Sequence, residues 1–300
     1  MKGKTYAAID IGSNAARLLI KRDKGDCDDK LEKLMLLRVP LRLGFDVFSK
    51  NRISGKKAEN LVRLMKAYRQ LMKIYGVDEM RACATSAMRD AENGKELIKE
   101  IEEETGIKIE IIAGEEEAKI VYNNHVEYTG DRKGNFLYVD VGGGSTEINF
   151  LSDGDLKVSM SFNIGTIRLL TGEVSPKECN SLRQQLRMLQ PEGKEMVIIG
   201  SGGNINKLYK MARDKDEDAN SFEVEELQRL YDMLHPLSVE ERMEKFKLKA
   251  DRADVIIPAA EIFLTVANTV GAKRIVVPVI GVADGIIDGL YEADKIKESR

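Results

Sequence analysis

The chain has 300 residues, 43% of them hydrophobic and 32% charged. That exceeds what one core usually organises and is apolar enough to offset the entropy of ordering, so two packed domains are expected and a mini-protein or disordered chain is excluded. Lysine and arginine number 47 against 50 acidic residues, a formal charge of -3, so no whole-protein basic field draws nucleic acid or a membrane and any polyanion site must be local.

In chain order, AAIDIGSNAARLLI at 7–20 is an apolar run ending in Asp10, a small-residue turn and a second strand-compatible run, which predicts a β-hairpin. KLMLLRVPL at 33–41 reads as a third strand, and Ala58, Leu61, Met65, Tyr68, Met72 and Tyr75 alternate spacings of three and four, the period of an amphipathic helix. A short strand near 80–84, a charged helix near 94–105, the strand KIEIIA at 108–113 and a helix from Gly114 follow. The polar, turn-forming segment YTGDRKGN at 128–135 is the expected junction between a first domain, 1–128, and a second, 129–300, whose last helix packs back on the first.

LYVDVGGGSTEINF at 137–150 then repeats the opening hairpin, with Asp140 lying 130 residues after Asp10. The second half continues with strands near 136–141, 145–151 and 155–162, helices within 165–191, the strand MVIIG at 196–200, and a last strand, RIVVP at 274–278. Extra helices are expected between 204 and 270, with 255–272 as a buried core helix and DKDEDA at 214–219 as a solvated loop. Two similar α/β domains with a cleft between the copies are the expectation.

The two turns carry the first chemical signal. Glycine without a Cβ lets backbone N–H groups approach a phosphate, so Gly12, Ser13 and Asn14 in one copy and Gly142, Gly143, Gly144, Ser145 and Thr146 in the other are candidate phosphate binders. A single such turn is more often just a tight hairpin; the duplication favours function. Neither ends in the GK[ST] of a P-loop. Asp10, Asp140 and Glu147 are the oxygen ligands that Mg²⁺ would need, with turn caps or ion pairs as the alternative. Two histidines, His125 and His235, cannot build a histidine-rich metal centre. In IIAGEEEA at 111–118, helix-dipole stabilisation accounts for two of the three glutamates, leaving one to orient or deprotonate a water. ATSAMRD at 84–90 places Thr85, Ser86 and Arg89 beyond a strand end, and IIGSGGNINKL at 198–208 offers Gly202 and Gly203 at a helix start, one turn before Lys207. Cys27, Cys83 and Cys179 are widely spaced, which fits reduced thiols and a cytoplasmic location, and neither a signal peptide nor a membrane span is expected.

Together these motifs resemble the exopolyphosphatase / guanosine pentaphosphate phosphohydrolase family of the actin-like ATPase superfamily. The two hairpins are similar to its phosphate motifs, and ACATSAMRDAENG, IIAGEEEA, IIGSGGNINKL, LSVEERM (237–243) and ADRADVIIPAAEI (250–262) fall in the family's order across essentially the whole chain. The resemblance implies two ribonuclease-H-like domains with an interdomain cleft and Mg²⁺-dependent hydrolysis of terminal phosphoanhydride bonds. It also implies Glu117 as the catalytic base, Arg89 as a phosphate-gripping arginine, and Asp10, Asp140 and Glu147 as metal-associated acids. Ala15 stands where the family commonly has serine, and GVADG at 281–285 replaces a glycine-leucine-arginine sequence. The chain stops near residue 300, so the extra C-terminal domain of longer members is expected to be missing.

The expected function is exopolyphosphatase, with guanosine pentaphosphate as the alternative substrate. A sugar- or acetate-kinase-like phosphotransferase and a non-catalytic alarmone or polyphosphate sensor are the rivals. The expected partners are these polyanions, with no nucleic acid, no membrane, and a homodimer as an option.

Overall fold

The computed structural model describes residues 3–25, 31–126, 133–189, 195–278 and 281–298, with side chains omitted at 123–126 and 298. Cys27, the His125 side chain and most of the junction turn, 127–132, lie outside that description. The chain divides into two compact units, Met1–Asn124 with Val282–Arg300, and His125–Gly281.

The first unit opens with β1 (Thr5–Ile11), β2 (Ala16–Asp23) and β3 (Leu31–Val39), followed by α1 (Gly44–Lys50), α2 (Gly55–Tyr75), β4 (Glu79–Ala84), α3 (Ser86–Asp90), α4 (Gly94–Thr105), β5 (Ile109–Ile111) and α5 (Gly114–Val126). Its sheet runs β3-β2-β1-β4-β5. The first three strands form an antiparallel meander, while β4 and β5 continue parallel to β1. Every residue of β1 is buried, as a central strand covered on both faces requires. The α2 period turns Leu61, Met65, Tyr68 and Met72 inward, and the Tyr68 hydroxyl donates to the Ala16 carbonyl.

The second unit contains β6 (Asn135–Val141), β7 (Thr146–Ser152), β8 (Asp155–Phe162), α6 (Thr166–Leu170), α7 (Pro176–Met188), β9 (Met196–Ser201), α8 (Gly203–Met211), β10 (Ser221–Glu223), α9 (Val224–Leu234), α10 (Val239–Phe246), α11 (Ala250–Ala253), α12 (Ile256–Val270) and β11 (Arg274–Val276). Its sheet order is β10-β11-β9-β6-β7-β8. The antiparallel trio β6-β7-β8 and the parallel additions β9 and β11 repeat the plan of the first sheet. This is the ribonuclease-H-like arrangement, present twice. The apolar α12 lies against α6, α7, α8, α9 and β6 as the core helix of this unit. The stretch 250–270 is long and apolar enough to cross a membrane, but two thirds of it is buried within the protein.

The last helix, α13 (Val282–Glu298), belongs to the first unit. Its Val282, Ala283, Ile286 and Ile287 pack with Tyr6, Ala8, Leu19 and Cys83. Asp294 accepts from Lys4 Nζ at 2.9 Å and from the Tyr6 hydroxyl at 3.0 Å, and Lys21 reaches Asp284 and Asp288.

Candidate functional site

In the first unit the parallel strands β1, β4 and β5 end at one edge, where ligand crevices form in α/β sheets. The turn 12–15 lies there, closed by Gly12 N–H donating to the Ala15 carbonyl. A second layer fixes its direction. Gly44 N–H donates to the Ser13 carbonyl at 2.9 Å and Arg42 N–H to the Asn14 carbonyl at 2.8 Å. In a trans peptide the N–H lies opposite the C=O, so these bonds turn the N–H groups of Asn14 and Ala15 away from the 42–44 loop. The Ser13 and Ser86 hydroxyls, both buried, pair at 2.8 Å, which joins the turn to the end of β4. Thr85 N–H donates to the Ile11 carbonyl.

Arg89 donates through Nη1 to the Ile112 carbonyl at 3.0 Å, which ties it to the corner between β5 and α5. That corner separates the three glutamates. Glu115 and Glu116 are exposed, and Arg81 holds Glu116 at 2.8 Å while also pairing with Glu110. Glu117 alone turns inward, 7% exposed. Cys83, beside Asp10 in the β1–β4 register, is a buried thiol pushed up to about 12 by desolvation.

The second unit builds its turn in the same way. Gly142 N–H donates to the Ser145 carbonyl, and the start of α6 collects the outward carbonyls: Thr166 N–H bonds Gly142 O, Ile167 and Arg168 N–H bond Gly143 O, and Arg168 Nε bonds Gly144 O at 2.9 Å. The N–H groups of Gly143, Gly144 and Ser145 therefore point away from α6. The Thr146 hydroxyl donates to the Ile164 carbonyl, so its proton is spent inside the fold rather than offered to a ligand. At the end of β9, Gly202 caps α8 at φ 103, a conformation suited to glycine, and a Cβ there would lie 3.0 Å from Asp140 Oδ1. Gly203 is covered by Arg252, whose Nη1 donates to Asn204 Oδ1 at 2.8 Å.

The repeated aspartates differ in their opposite numbers. Asp10 pairs across the hairpin with Arg17, Nη1 to Oδ2 at 2.6 Å, whereas Asp140 pairs with Glu147. Glu147 also accepts from Ser161 Oγ at 3.0 Å. Asp140 and Glu147 are both buried. Two carboxylates directly across a strand pair repel, and a hard cation relieves that repulsion. Among the described residues no three His, Cys, Asp or Glu side chains gather as a metal cluster. Mg²⁺ commonly takes only one or two carboxylates and completes its shell with waters and phosphate, so the Asp140–Glu147 pair fits it and Asp10, with a guanidinium counter-ion, fits it less well.

Residues 22–293 match the family model of the Ppx/GppA phosphatase family. The chain belongs to that family. Guanosine-5'-triphosphate,3'-diphosphate pyrophosphatase of Aeromonas hydrophila is 25% identical over 299 residues, 95% of this chain and 59% of its own. A bifunctional 3-dehydroquinate synthase/phosphatase of Fusobacterium nucleatum is 35% identical over 169 residues, 54% of this chain and 25% of its own. This Ppx/GppA chain thus spans less than two thirds of the length of the curated relatives it matches. Among solved structures, the Ppx/GppA family member of Aquifex aeolicus superposes with a TM-score of 0.76 at 25% identity, covering 99% of each chain. An exopolyphosphatase from Cytophaga hutchinsonii superposes at 0.82 and 21% identity, covering 97% of this chain and 98% of its own, and supports the fold.

Sequence reasoning missed Gly44, Gly165 and Arg252. The two glycines let the segment after the third strand approach each turn: a Cβ at Gly44 would sit 3.1 Å from Ser13 Cβ, and one at Gly165 would sit 2.5 Å from the Gly143 backbone. Their equivalent placement after β3 and β8 was the available signal.

Proposed function

We propose that this Ppx/GppA family member hydrolyses phosphoanhydride bonds, releasing orthophosphate from the end of inorganic polyphosphate in a Mg²⁺-dependent reaction. The observation that carries the reading is the matched construction of the two turns, each with its carbonyls taken up by the segment after the third strand and its N–H edge turned the other way. Oriented backbone donors of this kind suit phosphate oxygens without committing to a base or sugar.

In this reading a water attacks the terminal phosphorus in line with the bridging oxygen. The new P–O bond forms as the bridging bond breaks, Glu117 takes the water proton, and the shortened chain leaves. Arg89 donates to the Ile112 carbonyl and holds Nε 3.8 Å from Asp90, and its guanidinium offsets charge on the transferring phosphoryl oxygens. Asp140 and Glu147 would hold Mg²⁺, which supplies charge neutralisation of the phosphates when bound. Within its own unit, each turn offers backbone donors to phosphate oxygens, and the start of α8 adds to those of the second.

Guanosine pentaphosphate is the second reading, favoured by the Aeromonas relative's alignment over 95% of this chain. A cytoplasmic location is proposed on the free thiols of Cys83 and Cys179. The test is phosphate release from short and long polyphosphate and from guanosine pentaphosphate, with and without Mg²⁺, for the parent chain and for Glu117→Gln. Loss of turnover by about 10²–10⁴-fold with retained substrate binding and unchanged melting is expected for the variant. Near-normal turnover would remove Glu117 from its role, and tight binding without release by the parent chain would replace the enzyme by a sensor.

A further inference from the structure

Arg242 is a buried cation that the proposed chemistry does not use. It lies on α10, 9% exposed, in the LSVEERM segment, and α10 is started firmly by a capping box between Ser238 and Glu241. Its guanidinium donates to main-chain carbonyls of two other helices: Nε to Leu234 O at 3.0 Å at the end of α9, and Nη1 to Ala253 O at 2.9 Å at the end of α11. Nη2 approaches the His235 carbonyl at 3.4 Å. Burial lowers its basicity, so the fold accepts a desolvation cost to keep a cation there. Helix C-termini present unsatisfied carbonyls, and a cation that answers two of them at once fixes the helices relative to one another.

The residue before Ala253 is Arg252. Its Nη1 donates to Asn204 Oδ1, and its guanidinium lies so close over Gly203 that a Cβ there would sit 2.1 Å from Nη2. A Cβ at the preceding Gly202 would lie 3.0 Å from Asp140 Oδ1. A guanidinium beside a helix N-terminus sets two kinds of phosphate donor next to each other. Arg252 is therefore placed to act as a phosphate-gripping group, and its backbone is held by Arg242.

We infer that Arg242 is a positioning residue for Arg252: by clamping the carbonyl of Ala253 it sets the guanidinium of Arg252 over the start of α8. The inference rests on reading the α8 terminus as part of the phosphate site, and the experiment separates the two. Arg252→Ala, Arg242→Met, Arg242→Lys and the double variant Arg242→Met/Arg252→Ala are compared for KM and kcat on polyphosphate and for thermal midpoint. Loss of a charge-assisted phosphate contact predicts KM raised about 10–100-fold in Arg252→Ala. Misplacement of the same group predicts about a tenfold rise in Arg242→Met and a smaller one in Arg242→Lys, which retains a donor. The decisive comparison is the double variant: its KM should equal that of Arg252→Ala, although its thermal midpoint falls further. The same KM factor for Arg242→Met in both backgrounds would overturn the clamp and leave Arg242 a structural residue. An unchanged KM in Arg252→Ala would instead overturn the phosphate reading of the α8 terminus, and the clamp with it. Should Arg242→Met fail to fold, the cycle is run with Arg242→Lys and read by the same rule.

Discussion

Replacing Gly165 by alanine tests whether the glycine turn at 142–145 is held from behind. Gly165 has φ -140 and ψ 164, extended backbone open to any residue, so the penalty is steric rather than conformational. A Cβ would lie 2.5 Å from Gly143 C and O and from Gly144 C. Carbon atoms rest at about 3.5–4.0 Å, so turn or helix must retreat by about 1 Å. That movement stretches the bonds from Thr166, Ile167 and Arg168 to the carbonyls of Gly142, Gly143 and Gly144, which are what orient the N–H edge. Overpacking of this kind costs about 1–3 kcal/mol in stability. A misplacement near 1 Å in groups that position a reacting phosphate costs about 10²-fold in rate. The assay is initial-rate phosphate release from polyphosphate beside a thermal melt, with Gly55→Ala as control, because a Cβ at the start of α2 meets nothing within 4 Å. Gly165→Ala with parental kcat/KM would refute the argument that the α6 start orients the turn.

Glu147→Gln removes one of two facing carboxylates, so the Mg²⁺-free protein should gain a few tenths to about 1 kcal/mol, while the rise in melting temperature on adding Mg²⁺ should vanish. A parental Mg²⁺ response would sink the assignment of the pair. Asp294 is held well below the usual carboxylate range, at about 2, first by Lys4 and then by Tyr6 and Lys297. A depressed folded pKa stabilises above the unfolded value and is lost as pH falls through the folded one, so the anchoring of α13 should weaken between about pH 4 and pH 2. Lys4 and Lys297 are largely exposed, and screening reduces the effect to about 1 kcal/mol. Asp294→Asn should flatten unfolding midpoints across that window, and an unflattened curve would deny the anchor. Cys83, its thiol raised to about 12 by burial, should resist alkylation at pH 8 in the native protein and react on unfolding, as peptide mapping would show.

The duplicated hairpins were legible because their cues are local: an apolar run, a carboxylate and small turn residues at a constant offset. The supports behind the turns were not. Only Gly44, Val47 and Phe48 are buried among the seven residues of α1, too few to show a helical period, and Gly44 matters for a contact with Ser13 that no local pattern encodes. The strand expected over 108–113 shrinks to Ile109–Ile111: the Ile112 N–H still bonds the Ala84 carbonyl of β4, but the Ile112 carbonyl is taken by the Arg89 side chain. Thr146 read as a ligand donor because a hydroxyl beside a glycine turn is available in sequence; its partner, Ile164, is 18 residues away. Arg252 lay inside a recognised motif, yet its contact with Asn204 spans 48 residues. The glutamate trio left the base open on local grounds, and Arg81 separates its members by taking Glu116.

The difference between the two hairpins bears most directly on where a cation belongs. Position seven after the aspartate is Arg17 in one copy and Glu147 in the other, and the antiparallel register sets each beside its aspartate. One hairpin therefore sets an arginine against its aspartate, while the other sets two carboxylates across from each other beside a glycine turn and a helix start. A polyanion bound at such a place brings still more negative charge, which the Asp140–Glu147 pair alone would repel. A divalent cation turns both features into attractions, whereas at Asp10 it would have to compete with a bonded guanidinium. Equivalent backbone thus carries non-equivalent charge: an arginine stands across from the aspartate in the first hairpin and a glutamate in the second.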